Sequence, residues 1–239
     1  MAAGISDQPL RRQHLTVSVV IPIYNNAAIL ESNLGRLVNF LAAEFSDFEL
    51  ILVDDKSTDG SGEMLTKAQR SNSRIKIVRH VMNRGQQWAI ATGALAAKHG
   101  IVIAVDADLP CLLSDLKRIA LLANDGTELV LCRRGSSLRR PLFRRVGSFL
   151  ASKLCRLLFR YGISDFGCST GAVRRELIER VRAKASDLKL LKVQLLQNAD
   201  SFVETEITVP PVAQDARSVY SFAKLVSILW SIAKYRIHG

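Results

Sequence analysis

The chain is poor in features that would tie it to several common functions. Aromatic residues make up 6% of its 239 positions and are not interleaved with cations as in proteins that stack single-stranded bases. No nucleic-acid recognition motif is present either, so nucleic acid is not an expected partner. No apolar run approaches the ~20 residues that a membrane-spanning helix needs. The longest stretch, Phe222 to Ala233, is broken by Lys224. Met1 to Leu15 carries Arg11 and Arg12 but lacks the apolar segment of a signal peptide. The four cysteines, Cys111, Cys132, Cys155 and Cys168, match neither a zinc pattern nor a small disulfide framework, and read as reduced thiols. The four histidines, His14, His80, His99 and His238, are scattered and form no metal-ligand or nucleophile–base set. A cytoplasmic protein, soluble or peripheral to a membrane, is expected.

Acidic residues are the other shortage. The formal charge is +11, and from Leu129 to Ser164 there is no Asp or Glu. Such a balance suits a phosphorylated substrate or an anionic membrane face, with plain solubility as the alternative. The hydrophobic content of 48% supports a sizeable core. The length fits one large α/β domain or two small ones.

Strand and helix patterns alternate along the first half. Val17 to Ile23 is a continuous β-branched run, as expected of a strand buried on both faces of a parallel sheet. Leu30, Leu34, Leu37, Val38 and Leu41 recur at helical spacing over Ala28 to Glu44. Glu49 to Val53 reads as a second strand, followed by a helix from Ser61. Ile75 to Val78 reads as a third strand, and Trp88 to Lys98 as a helix ending at Gly100. Ile101 to Val105 is the fourth strand. The alternation predicts a doubly wound, mostly parallel α/β sheet with flanking helices.

In such sheets ligands bind beyond the carboxyl ends of the strands. Tyr24-Asn25, Asp54-Asp55 and Asp106-Ala107-Asp108-Leu109 all fall there. Two carboxylates one residue apart at a buried strand's end make a hard oxygen site for a divalent cation, and through it for a nucleoside diphosphate. Any one of these Asp residues could instead cap the following helix. Three strand ends in register argue for a nucleotide site.

The second half carries Arg133, Arg134, Arg139, Arg140, Arg144, Arg145, Lys153, Arg156 and Arg160. Pro141 opens an expected helix, with Leu142, Val146, Phe149, Leu150, Leu154, Leu157 and Leu158 on an apolar stripe. A basic amphipathic helix suits an anionic membrane boundary, or else packs on the sheet with its basic face solvated. Asp165 to Gly171 reads as an ordered turn before a helix from Val173. Val203 to Val209 reads as an edge strand ending at Pro210-Pro211, and Ser221 to Tyr235 as a last helix.

Together these segments resemble the inverting family-2 glycosyltransferases of GT-A fold. The resemblance runs through Val17–Asn25, Asp54–Ser61, Asn83-Arg84-Gly85-Gln86 and Asp106–Leu109. The basic helix, Asp165-Phe166-Gly167-Cys168, Arg174-Arg175 and Ser218–Ser221 are similar to the branch that uses polyprenyl phosphate. The resemblance implies a single domain over 1–239, with a nucleotide-binding half at 16–110 and an acceptor and membrane-facing half at 111–239. It implies that Pro22, Tyr24, Asn25, Asp54, Asp55 and Gln86 bind the donor, a UDP- or GDP-linked sugar. Asp106 would contact the donor as well, and Asp108 would hold Mg²⁺ or Mn²⁺. Arg134, Arg144 and Arg145 would grip a polyprenyl phosphate, whose oxygen needs no base. A hydroxyl acceptor would need one, and Asp165 is the candidate.

The sequence departs from the family pattern at Pro110, Asn26, Lys56, Ala213 and Ala216. The transmembrane helices appended in many relatives are not expected here, so attachment at the cytoplasmic membrane face would be peripheral, directly or through a membrane-protein partner. A hydroxyl-directed transferase and a non-catalytic nucleotide-sugar-binding subunit stand as alternatives.

Overall fold

A computed structural model describes residues 14–135, 153, 156, 163–184 and 187–210. In chain order the elements are β1 (Thr16–Ile23), α1 (Ala27–Glu44), β2 (Asp47–Asp54), α2 (Ser61–Ser71), β3 (Ile75–Arg79), α3 (Gln86–Leu95), β4 (Ile101–Ala104), α4 (Leu113–Asn124), β5 (Leu129–Arg134), β6 (Gly171–Arg174), α5 (Arg175–Lys184), α6 (Leu191–Asn198) and β7 (Phe202–Ile207).

The strands form one sheet in the order β3-β2-β1-β4-β6-β5-β7. β3, β2, β1 and β4 run parallel, as the continuous apolar runs of β1 and β2 predict. β6 is antiparallel to both β4 and β5, and β7 pairs parallel with β5. The chain winds from β1 outward to β3, then crosses back to place β4 on the other side of β1. In open α/β sheets the ligand crevice lies at such a reversal, here between the carboxyl ends of β1 and β4.

Alternate residues of each strand feed opposite cores. Val17, Val19, Ile21, Phe48, Leu50 and Leu52 pack with α1, α2 and α4. Val20, Ile51, Val53 and Val102 pack with α3, α5 and α6. α3 lies close on β1 because Gly93 has no side chain: a Cβ there would run into Val20 and come within 3.0 Å of Val53 Cγ2. The alanine-rich helix therefore sits where a bulkier one would be pushed off the sheet.

Several elements differ from their expected bounds. α3 begins at Gln86, two residues before the expected Trp88 and directly after the site loop. The helix expected from Val173 is preceded by β6, and begins at Arg175. Four residues holding one β-branched side chain give no local strand signal; β6 exists because β4 and β5 flank it. The expected edge strand is β7, from Phe202 to Ile207, and it stands at the edge. The basic helix from Pro141 lies outside the described residues except Lys153 and Arg156, which are helical and exposed. The expected helix from Ser221, with Ala213, Ala216 and Ser218–Ser221, lies outside them too. Among the described residues no helix is long and apolar enough to cross a membrane.

Candidate active site

The carboxylate pair sits on a tight turn directly beyond β4. Val105 continues the β1 pairing through its N–H to Val20 O at 3.1 Å, and Leu109 N–H closes back on Asp106 O at 3.0 Å. Leu109 takes φ 47°, a left-handed conformation that a leucine seldom adopts. The turn is tied to α1 by Asn33 Nδ2, which donates to Ala107 O at 2.9 Å.

The two carboxylates are in different states. Asp106 is part-buried and fixed: Gln86 Nε2 donates to Oδ1 at 2.6 Å and the Ser169 hydroxyl donates to Oδ2. Burial raises its pKa, against the pull of Ser169 and Gln86. Asp108 is exposed at the cleft mouth. Partial withdrawal from water raises its pKa, and repulsion from Asp106 raises it further. A hard cation would relieve that repulsion, so the donor set fits one. Among the described residues no group of three His, Cys, Asp or Glu side chains could hold a metal. An ion at Asp108 would depend on further oxygens from a bound diphosphate and water.

The crevice's second wall comes from the ends of β1 and β2. Asn25 takes φ 55°; its N–H donates to Ser57 Oγ at 3.1 Å and its Oδ1 accepts from Thr58 N–H at 2.8 Å. Tyr24 projects from this loop, 50% exposed, and Pro22 is part-buried in β1. Asp54 accepts from Ser57 N–H at 2.8 Å. Asp55 is a tether: its oxygens accept from Arg84 N–H at 2.8 Å and Gly85 N–H at 2.7 Å, and His80 Nδ1 lies 2.7 Å away. His80 Nε2 in turn meets Thr92 Oγ1 at 3.0 Å. Asp55 thus orients the loop that delivers Gln86.

The third wall is the turn before β6. Arg134 Nε and Nη2 donate to the two oxygens of Asp165 at 2.8 and 3.0 Å. Burial works against the Arg134 charge, but Asp165 outweighs it and the guanidinium pKa is raised. Glu204 on β7 accepts from the backbone N–H of Ser164 at 2.8 Å and of Asp165 at 3.3 Å. Lys192 on α6 donates to the carbonyls of Phe166, at 3.1 Å, and Cys168. A carboxylate thus satisfies the turn's donors and an ammonium its acceptors. Burial pushes the Lys192 pKa down.

Residues 18–182 match the family described as glycosyl transferase family 2. The chain belongs to this family. It is 31% identical over 219 residues to an undecaprenyl-phosphate 4-deoxy-4-formamido-L-arabinose transferase of Photorhabdus laumondii. The match covers 90% of this chain and 66% of that relative, so the chain spans about two thirds of its length. Glucosyl-3-phosphoglycerate synthase from Mycobacterium tuberculosis, solved with Mn²⁺, UDP and phosphoglyceric acid, superposes with a TM-score of 0.60 at 19% identity, over 93% of this chain and 78% of that one. A mannosyltransferase from Pyrobaculum calidifontis, solved with GDP-mannose and Mn²⁺, gives 0.52 at 24% identity, over 82% and 55%. These likenesses establish the GT-A fold.

In this family 2 member the structure brings Gln86, Asp106, Asp108, Arg134 and Asp165 to one end of the sheet, with Pro22, Tyr24, Asn25, Asp54 and Asp55 along the facing wall. Arg144 and Arg145 lie outside the described residues. Arg134 and Asp165, expected as a phosphate grip and a base, are bound to each other. Sequence reading missed Ser169, Lys192, Glu204 and the tether role of His80. Ser169 lies in a segment that drew notice, but its target is 63 residues away. Lys192 lies on a helix that the pattern did not disclose. Arg174 faces the other end, where it caps α4 by donating to Ala123 O at 2.9 Å. Cys111, Cys132 and Cys168 are free, buried thiols whose pKa values burial pushes up, so they are inert at neutral pH. Cys155 lies outside the described residues.

Proposed function

We propose that the chain is a divalent-metal-dependent glycosyltransferase that moves a sugar from a nucleotide donor to the phosphate of a polyprenyl carrier. The observation that carries this reading is the unequal carboxylate pair: Asp106 locked by Gln86 and Ser169, beside an exposed Asp108. Family membership and the undecaprenyl-phosphate transferase of Photorhabdus laumondii support the donor and acceptor classes. The metal is supported by the Mn²⁺ in the two solved relatives and by the raised pKa of Asp108.

The chain's own residues would act as follows. Tyr24, Asn25 and Asp54 would line the nucleoside, and Pro22 would shape the wall behind it. Asp55 would hold the 80–85 loop so that Gln86 reaches Asp106. Asp106 would position the sugar-bearing end of the donor. Asp108 would hold Mg²⁺ or Mn²⁺, which would offset the charge that builds on the leaving nucleoside diphosphate. Arg134, with Arg144 and Arg145, would receive the acceptor phosphate; guanidinium forks match its oxygens.

A phosphate nucleophile is already ionised at neutral pH and needs no base. The Arg134–Asp165 pair favours it, because a base gripped at both oxygens by a guanidinium is poorly placed to take a proton. The test is transfer by the purified chain from labelled UDP- and GDP-sugars to undecaprenyl phosphate in detergent. Label entering the organic phase is expected. Nucleoside diphosphate release with all label left in water would point to a hydroxyl acceptor. No release from any donor would point to a binding subunit.

A further inference from the structure

The 164–169 turn is held from outside at both ends, by groups of opposite charge. At its first end the Glu204 carboxylate, on β7, accepts from Ser164 N–H at 2.8 Å, from Ser164 Oγ at 2.6 Å and from Asp165 N–H at 3.3 Å. At its second end Lys192 Nζ, on α6, donates to Phe166 O at 3.1 Å and to Cys168 O. The turn's own backbone bond, Cys168 N–H to Asp165 O, is 3.2 Å long, so the two ends take their places from these outside partners.

Each end delivers a different side chain. The first carries Asp165, which is buried and takes the Arg134 backbone N–H at 3.2 Å as well as both arms of its guanidinium. Gly167 leaves room for that fork: a Cβ there would come within 3.2 Å of Arg134 Nη2. The second end carries Ser169, whose hydroxyl donates to Asp106 Oδ2. Burial disfavours the Lys192 charge, and the Phe166 ring centre lies 5.7 Å from its Nζ. Polar groups satisfied in this way specify one geometry, at a desolvation cost that a turn without a task does not require.

We propose that the 164–169 turn is a positioning device with two handles: Glu204 sets the acceptor side through Asp165 and Arg134, and Lys192 sets the donor side through Ser169 and Asp106. The inference rests on the transferase reading above, in which Arg134 receives the acceptor phosphate and Asp106 positions the donor. It adds Glu204 and Lys192 as positioning residues, each acting through another side chain. The two handles grip different residues of the turn, so their loss falls on different substrates.

The test is steady-state transfer by the full chain from a labelled nucleotide sugar to undecaprenyl phosphate, read separately for each substrate. Glu204→Ala is expected to raise the KM for undecaprenyl phosphate about tenfold or more and to leave the donor KM within about twofold. Glu204→Gln, which keeps one accepting oxygen, is expected to do so less. Lys192→Met, assayed below its thermal midpoint, is expected to lower kcat about tenfold or more and to leave the acceptor KM within about twofold. Lys192→Arg, which keeps the charge but shifts its donors, is expected to lower kcat less. Added to Ser169→Ala, Lys192→Met is expected to cost little further, because it acts through that hydroxyl. Glu44→Gln, which removes a charge from an ion pair with Lys117 at the far end of the sheet, is expected to change none of these values. The same parameters moving together in the Glu204 and Lys192 variants would overturn the division, as would full additivity with Ser169→Ala. Amide hydrogen exchange without substrate separates the device from the acceptor reading: Glu204→Ala is expected to speed exchange at Ser164 and Asp165. That result, beside no transfer to lipid phosphate by wild type, would uphold the Glu204 clamp and remove the acceptor reading. Unchanged exchange at both amides would overturn the clamp.

Discussion

Ser169 donates its hydroxyl to Asp106 across 63 residues of sequence, from the turn before β6 to the turn after β4. This contact joins the two halves of the chain at the point where the proposed chemistry takes place. Removing it leaves a part-buried carboxylate oxygen short of a donor. Ser169→Ala is therefore predicted to lower kcat/KM about tenfold to a hundredfold, the worth of a hydrogen bond to a charged group. Steady-state kinetics on the folded variant check this; an unchanged kcat/KM would make the contact incidental.

The raised pKa values of Asp106 and Asp108 set a direction for pH dependence. Each group binds its proton more tightly folded than unfolded. Their ionisation therefore opposes folding, and the opposition grows as pH rises through the raised values. Asp108→Asn is predicted to raise the thermal midpoint of the metal-free protein at neutral pH while removing activity. The same shifts predict that, at sub-saturating Mn²⁺, metal binding weakens on acidification at a higher pH than an ordinary carboxylate would give. A thermal scan of the variant and Mn²⁺ titrations of wild type at several pH values check the two halves.

An ion at Asp108 would meet no group of three ligands among the described residues, and would lean on its nucleotide. Mn²⁺ is predicted to bind weakly to the free protein and at least about tenfold more tightly with UDP or GDP present, with the reciprocal gain for the nucleotide. Calorimetric titration in both orders measures it. Equal Mn²⁺ affinity with and without nucleotide would contradict the ligand count.

Lys56 takes φ 68°, the left-handed region that glycine enters freely. Lys56 is one of the departures from the family pattern, so that departure has a physical consequence. Lys56→Gly is predicted to relieve about 1 kcal/mol of backbone strain, partly offset by the glycine's greater freedom when unfolded. A thermal midpoint raised by about a degree is the expected result, and a lowered one would count against it.

Lys192 satisfies two carbonyls of the 165–169 turn from within the protein. Lys192→Met leaves them without their donor and is predicted to cost about 1–3 kcal/mol of stability. Lys192→Arg is predicted to recover part of the lost stability. Denaturant unfolding distinguishes this from a surface role, in which both variants would behave as wild type.

The parts that could be read from the sequence are those whose cause is local. The apolar runs of β1, β2 and β4, the helical spacing of α1, and the carboxylates at strand ends announce themselves within a few residues. What remained hidden depends on pairing. β6 is a strand because it lies between β4 and β5. Ser169, Lys192 and Glu204 matter because the sheet carries them to a turn far away in sequence. The Arg134–Asp165 pair shows the same limit: each residue could be picked out from the sequence, and their mutual grip could not.

The most direct test is transfer to undecaprenyl phosphate by wild type and Asp108→Asn side by side, with Mn²⁺ and with a chelator. The account predicts metal-dependent transfer by wild type and a loss of about a hundredfold or more in the variant. Equal transfer by Asp108→Asn, or undiminished transfer by wild type in the chelator, would contradict it.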